Sequence, residues 1–262
     1  MELWSPVSLE KERDYFWHIG PLSLWIRRDG DEWLIASDRQ EDVETADTVA
    51  AEEEKPEALG WSRFVLAGES STVRLLPVLP DRAAVVGSET AVKILPANKA
   101  LFFVSVPVWV RVTVVGTRKK QTTLTELQAV KLSNTWFGDP MTGELGYSLT
   151  TSARRSIEES PPACHQAVCP VTVKNRAAEP LDFQKLCIHI EHLRVYTGPK
   201  RLWTNEVSIT FTGPDQPTLL DFSDRQPDRE EGCVLLSDER TPVTKSLLKK
   251  SVGILKYFTS FE

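Results

Sequence analysis

The stretch Leu101-Phe-Phe-Val-Ser-Val-Pro-Val-Trp-Val-Arg-Val-Thr-Val-Val115 decides what kind of fold this chain can have. Val104, Val106, Val108, Val110, Val112 and Val114 recur at every second position. Successive side chains of a strand point to opposite faces, so these six valines share one face. The other face reads Ser105, Pro107, Trp109, Arg111 and Thr113. A one-residue slip would expose every valine, so burying that face fixes the register. Proline cannot donate to a ladder, so Pro107 predicts a bulge or a sheet edge. The apolar part of the run ends at Arg111 and is too short to span a bilayer.

Similar strands extend on both sides. Toward the N-terminus, Phe16–Ile26 and Glu32–Ala36 read as strands joined by Arg28-Asp29-Gly30-Asp31, a short hairpin signal, with Trp17, Trp25 and Trp33 packed on their sheet. Trp61–Leu66, Thr72–Leu79 and Ala91–Leu95 are further strands. Past Val115, Gly116–Lys120 forms a basic hairpin tip. Thr122–Phe137 then pairs with Glu144–Thr151 across Asp139-Pro140-Met141-Thr142-Gly143. Val168–Lys174, Phe183–Tyr196, Glu206–Phe211 and Thr218–Phe222 follow. Within Phe183–Tyr196 the apolar positions change from even (Ile188, Ile190) to odd (Leu193, Val195), which predicts a β-bulge near Glu191-His192. Thr241 and Pro242 suit the cap and first position of a helix, whose apolar side opposes Lys245, Lys249 and Lys256.

The expected fold is mostly β, with two antiparallel β-sandwich-like domains and a C-terminal amphipathic α-helix. The N-terminal domain covers residues 1–155 and the smaller one 156–240. Their boundary is the polar Ser152–Pro162, and the helix of residues 241–262 packs on the β body. Eight tryptophans and seventeen prolines agree with β structure punctuated by turns.

The net charge of −6 is carried by one segment. Residues 38–57 hold nine acids against two bases and read as a solvated loop, leaving the rest near neutral. No nucleic-acid surface is implied. The first fifteen residues lack the apolar core of a secretory signal, and four cysteines are too few for a disulfide framework. A cytoplasmic setting is expected.

No nucleotide-binding glycine loop, nucleophile elbow or His-Glu-x-x-His appears. Two groups of residues stand out instead. Trp136, Asp139, Glu144 and Tyr147 are more than the turn between them requires, and form a candidate binding surface. Asp139 and Glu144 could pair for acid–base work, against the plainer roles of turn starter and solvated strand residue. Cys164, Cys169, Cys187, His189 and His192, with His165 nearby, offer thiolates and imidazoles for zinc. Cys187 and His189 would share a strand face. The alternative is that the thiols are small buried hydrophobes and the imidazoles ordinary strand residues. Arg154 and Arg155 offer an anion contact, or simply stay solvated.

Trp136-Phe-Gly-Asp-Pro-Met-Thr-Gly-Glu-Leu-Gly-Tyr-Ser-Leu149, Glu179-Pro-Leu-Asp-Phe183, His189-Ile-Glu-His-Leu193 and Leu202-Trp-Thr-Asn205 resemble an uncharacterised prokaryotic family, number four hundred and thirty-two among the domains of unknown function. The resemblance covers most of the chain outside the acidic segment and implies no activity, cofactor or catalytic residue. Members resemble proteins sometimes encoded beside small mechanosensitive channels, which mildly favours partner binding.

Three functions follow as expectations. The first is a non-enzymatic cytoplasmic interaction or scaffold module with an unidentified protein partner. The second is a ligand- or metal-binding protein, open to catalysis, with its site between the domains. The third is a peripheral membrane or channel-associated adaptor using residues 241–262. Strand edges are open to dimerisation, and the sequence leaves the oligomeric state open.

Overall fold

The computed structural model describes residues 2–40, 48–66, 70–116, 121–158, 161–213, 216, 218–243 and 255–256. The chain is mostly β, in several sheets, and its compact units interleave. One contains Met1–Val78, Pro107–Lys131 and Ala163–His165; the other contains Leu79–Val106, Leu132–Pro162 and Gln166–Glu262. The polar segment expected to divide the domains therefore lies inside the second unit. The change of unit falls at Pro107, within the valine run.

The first unit holds β1 (Val7–Ser8), β2 (Asp14–Ile19), β3 (Leu22–Asp29), β4 (Glu32–Arg39), β5 (Thr48–Glu52), β6 (Ser62–Val65) and β7 (Thr72–Val78). The second starts with β8 (Ala84–Ile94) and β9 (Lys99–Pro107), and the chain returns to the first for β10 (Trp109–Val115) and β11 (Gln121–Gln128). The first unit forms two antiparallel sheets, in the orders β1-β7-β10-β11 and β5-β2-β3-β4-β6.

Phe16–Ile26 is two strands, not one. Ile19 pairs with Leu22 across Gly20-Pro21, and Gly20 takes a φ of +56°. The next turn repeats the device, with Gly30 at +59° between Asp29 and Glu32. Glycine at the first central position suits a two-residue hairpin whose twist matches its strands. Trp17 and Trp33 are both about 1% exposed, as their strand positions predict. The acidic segment is not wholly a loop. Thr48–Glu52 pairs with β2, where the backbone ladder and the Arg13–Glu52 ion pair at 2.8 Å offset its charge.

The valine run behaves as its period demands. Its six alternating valines are each 0% exposed. The break occurs beside Pro107. Before it, β9 pairs with β14 (Gln166–Asn175); after it, β10 pairs with β7 and β11. Thr122–Phe137 also divides, because β11 ends before β12 (Ser133–Phe137) begins.

The remaining strands of the second unit are β13 (Glu144–Ser148), β15 (Leu181–Ile188), β16 (Val195–Thr197), β17 (Leu202–Thr204), β18 (Val207–Phe211), β19 (Leu219–Phe222), β20 (Val234–Ser237) and β21 (Leu255–Lys256). One sheet has the order β12-β13-β8-β15-β21; the other has β19-β18-β14-β17-β16-β20, with β9 also on β14. Three pairs, β13–β8, β14–β17 and β14–β18, are parallel, which corrects the wholly antiparallel expectation. Turn chemistry reveals local hairpins, whereas these pairs join distant segments.

Two local readings change as well. The phase slip in Phe183–Tyr196 is not a bulge. β15 stops at Ile188, Ile190–His192 makes a 3-10 turn, and β16 starts afresh at Val195. Where the last part of a C-terminal helix was expected, Leu255 and Lys256 form β21 against Leu186 and Lys185. The free edge of β15 supplies backbone partners that a helix would not use. Thr241–Val243 is not helical either, and the Thr241 N–H donates to the Glu191 carbonyl at 3.0 Å. The rest of that segment, like the basic tip at 117–120, lies outside the described residues. No helix among the described residues is long and apolar enough to cross a membrane.

Candidate functional site

Within the five-stranded sheet of the second unit, β13 and β15 flank β8. Tyr147 of β13 pairs with Ala84, and Ile188 of β15 pairs with the same residue from the other side. β8 begins at Ala84, so beyond that end it no longer separates β13 from β15, and Cys187 packs there with Ala83, Val85 and Phe137. Long side chains from the two flanking strands can therefore meet. Gly146 makes the close approach work, since a Cβ there would sit 2.7 Å from the Ala83 carbonyl oxygen.

Glu144 reaches across this gap. Its Oε1 accepts from the Cys187 thiol at 3.2 Å and lies 3.3 Å from His189 Nε2. The other ring nitrogen, His189 Nδ1, is 3.1 Å from Glu191 Oε1. A carboxylate only accepts, so Nδ1 carries the proton of that bond. His192 completes the chain. Its Nδ1–H donates to the Thr241 carbonyl at 2.6 Å, and its Nε2 lies 3.6 Å from Glu191. Ligand atoms of Glu144, Cys187 and His189 all lie within 4.8 Å of one another, as do those of His189, Glu191 and His192. Cys187 is fully buried, the His189 side chain is 13% exposed, and Glu144 opens to solvent at 42%.

The electrostatics follow from this arrangement. Burial pushes the Cys187 thiol well above its ordinary value, and the Glu144 charge and hydrogen bond push it the same way. Burial alone would lower His189. The Glu191 hydrogen bond and the charges of Glu191 and Glu144 outweigh it and hold the imidazole above its ordinary value. Glu191 Oε2 is buried with no hydrogen-bond partner among the described residues.

The family model for a protein of unknown function, DUF432, matches residues 3–256. The chain belongs to the DUF432 family. No curated protein and no solved structure matches it. In this DUF432 chain the residues singled out from sequence thus divide sharply. Cys187, His189 and His192 come together, and Glu144 joins them from the separate binding-surface group. Cys169 does not: it is buried on β14, its Sγ 4.0 Å from the Pro170 carbonyl oxygen. Cys164 and His165 belong to the first unit, outside the cluster.

The other three members of the binding-surface group have local work. Trp136 Nε1 donates to the Asp139 carbonyl at 3.1 Å, and Asp139 Oδ1 accepts from the Met141 N–H at 2.8 Å. Gly143 closes this turn, because a Cβ there would come within 2.6 Å of Trp136 Nε1. Tyr147 is buried and donates to Asp81 Oδ1 at 2.8 Å. Burial, then the Asp81 bond, raises its phenol. Sequence reasoning missed Glu191 as a site residue. Period two already places it on the face of Cys187 and His189, and in the structure it sits on the 3-10 turn that follows β15. The phase slip was the signal of that turn.

Proposed function

We propose that this DUF432 protein binds a borderline divalent metal ion, zinc above all, through Glu144, Cys187 and His189. The observation that carries the reading is the convergence of three donors from two distant chain segments on one spot, with Glu144 Oε1 3.2 Å from the thiol and 3.3 Å from the imidazole. Sulfur, nitrogen and oxygen donors together suit zinc better than magnesium or calcium. Glu191 fills the orienting role that carboxylates play behind metal-bound histidines, because its bond to Nδ1 leaves Nε2 to the metal. Three protein donors and a solvent-open side at Glu144 leave a coordination position for water or an exogenous ligand, the pattern of reactive zinc sites. Metal entry displaces the thiol proton and any proton on Nε2. The site belongs to one unit, so this reading departs from the expected site between domains.

The test is zinc titration of chelator-treated protein, monitored with a chromophoric competitor. One equivalent is expected for wild type and none at the same affinity for His189→Ala. Equal zinc uptake by both proteins would sink the reading.

A second reading, protein docking at the β12–β13 hairpin, is favoured by a separate observation. Trp136 is 50% exposed, Met141 89% and Leu145 45%, and Trp136 lies opposite Leu145 in the ladder. β12 ends its sheet, so a second copy of this chain is the partner to try first. Sedimentation velocity should show a dimer that Trp136→Glu disrupts; a wild-type monomer at all concentrations rules this partner out.

A further inference from the structure

The other sheet of the second unit contains a cleft that neither reading uses. Lys99 begins β9, Lys174 stands near the end of β14, and the two strands pair. With Arg155, Thr172, Glu206 and Arg229 they line a space of about 540 Å³. Lys99 and Lys174 also line a second cavity of about 750 Å³, where Arg176 adds a fifth cation. The first space is in the size range of small-molecule sites.

Four cations face one carboxylate in the 540 Å³ cleft, on a chain whose net charge is −6. This local excess is not the by-product of a basic protein. The carboxylate is engaged, since Glu206 Oε1 accepts from the Thr172 hydroxyl at 2.6 Å. Among the described residues, Lys99, Lys174 and Arg176 have no ion-pair partner. The only acid paired with Arg229 among the described residues is its neighbour Asp228, 3.5 Å away and 87% exposed. Arg155 is held in place by a bond from Nη1 to the Leu101 carbonyl at 2.5 Å and by the Phe102 ring, 5.0 Å below its guanidinium. Most of its donors remain directed elsewhere.

This composition selects a ligand class. One carboxylate group would match one or two of the cations and leave the rest repelling one another. Guanidinium forks and ammonium groups on several sides suit phosphoryl oxygens. Among the described residues no aromatic side chain lines either cavity, so these linings offer no platform for stacking bases. We infer that the cleft between Lys99, Arg155, Lys174 and Arg229 binds a small anion bearing two or more phosphoryl groups, held by its phosphates with no base recognition. The inference is independent of the metal reading, because none of its residues is a donor of that site and Lys99 and Lys174 belong to the other sheet.

The experiment is calorimetric titration of the purified chain, stripped of metal, with inorganic tripolyphosphate in about 0.15 M salt, where weak surface attraction is screened. Saturable binding at one site is expected. Lys99→Gln/Lys174→Gln should raise the dissociation constant by about tenfold or more, and Arg155→Gln should also weaken binding. Lys99 is exposed and Lys174 half-buried, so an unchanged melting temperature verifies that the double variant folds. Flotation with vesicles containing a phosphoinositide distinguishes the source. Vesicle capture blocked by tripolyphosphate marks a lipid headgroup, and soluble binding alone marks a free phosphate compound. No heat with tripolyphosphate, or equal affinity in wild type and the double variant, would overturn the inference. So would tight binding of single-stranded oligonucleotide that tripolyphosphate does not displace.

Discussion

Cys169 and Cys187 are both buried thiols on strands of the second unit, yet their surroundings differ in kind. Burial pushes Cys169 up to about 12, with the Thr204 hydrogen bond opposing and the Glu206 charge adding, and among the described residues no imidazole joins its sulfur. Burial raises Cys187 as well, but a carboxylate lies 3.2 Å away and an imidazole meets that same carboxylate. One thiol fills space in a sheet and the other belongs to a donor set. Closeness along the chain did not separate them. What did was which strand lies next door, and where β8 begins.

The largest expected contrast is in metal affinity. Cys187→Ser should weaken zinc binding by about a hundredfold or more, whereas Cys169→Ser should leave it unchanged, both read by competitive titration. Equal effects from the two would erase the distinction. Glu191→Gln comes next. It keeps the shape of the side chain but weakens its hold on His189 Nδ1, so zinc affinity should fall by about 10–100-fold with the one-to-one stoichiometry retained.

A smaller contrast lies in folding stability without metal. Cys169→Ser places a hydroxyl in a fully buried position and should cost about 1–2 kcal/mol in urea unfolding. Cys187→Ser should cost less, because Glu144 accepts the new hydroxyl as it accepts the thiol. The smallest effect is a neighbouring ion pair that shares none of the donors. Arg194 grips Glu239 with two bonds, at 2.6 and 3.3 Å, and this grip holds Glu239 below its ordinary value. A lowered carboxylate stabilises the fold above its unfolded-state value and loses that contribution as pH falls through the folded-state one. Glu239→Gln should therefore cost about 1 kcal/mol at neutral pH, with the gap from wild type closing below about pH 4. A gap that widens in acid would reverse that sign.

The same contrast shows what the sequence could disclose. Period two in the valine run made β structure and a buried face legible, and Pro107 marked the interruption. Gly30 announced its hairpin, because only a few residues tolerate its φ. Gly20 was as informative, but it was hidden inside an apolar run that reads as one strand. Cys187 and His189 were readable as neighbours on a face. Their link to Glu144 was not, since it depends on the parallel pairing of β13 with β8 across a long intervening chain. The even-to-odd change near Glu191 was visible, but a bulge and a 3-10 turn shift the phase alike. Period two alone already set Glu191 on the face of His189. At the C-terminus the amphipathic pattern suited a helix, while Leu255 and Lys256 took the open edge of β15.

X-ray absorption at the zinc edge of the zinc-loaded chain tests the central claim most directly. One sulfur at about 2.3 Å, with nitrogen and oxygen neighbours at about 2.0–2.2 Å, is the expected shell, and the sulfur should vanish in Cys187→Ser but persist in Cys169→Ser. A shell without sulfur in the wild type, or one whose sulfur survives the loss of Cys187, would contradict a metal centre at Glu144, Cys187 and His189.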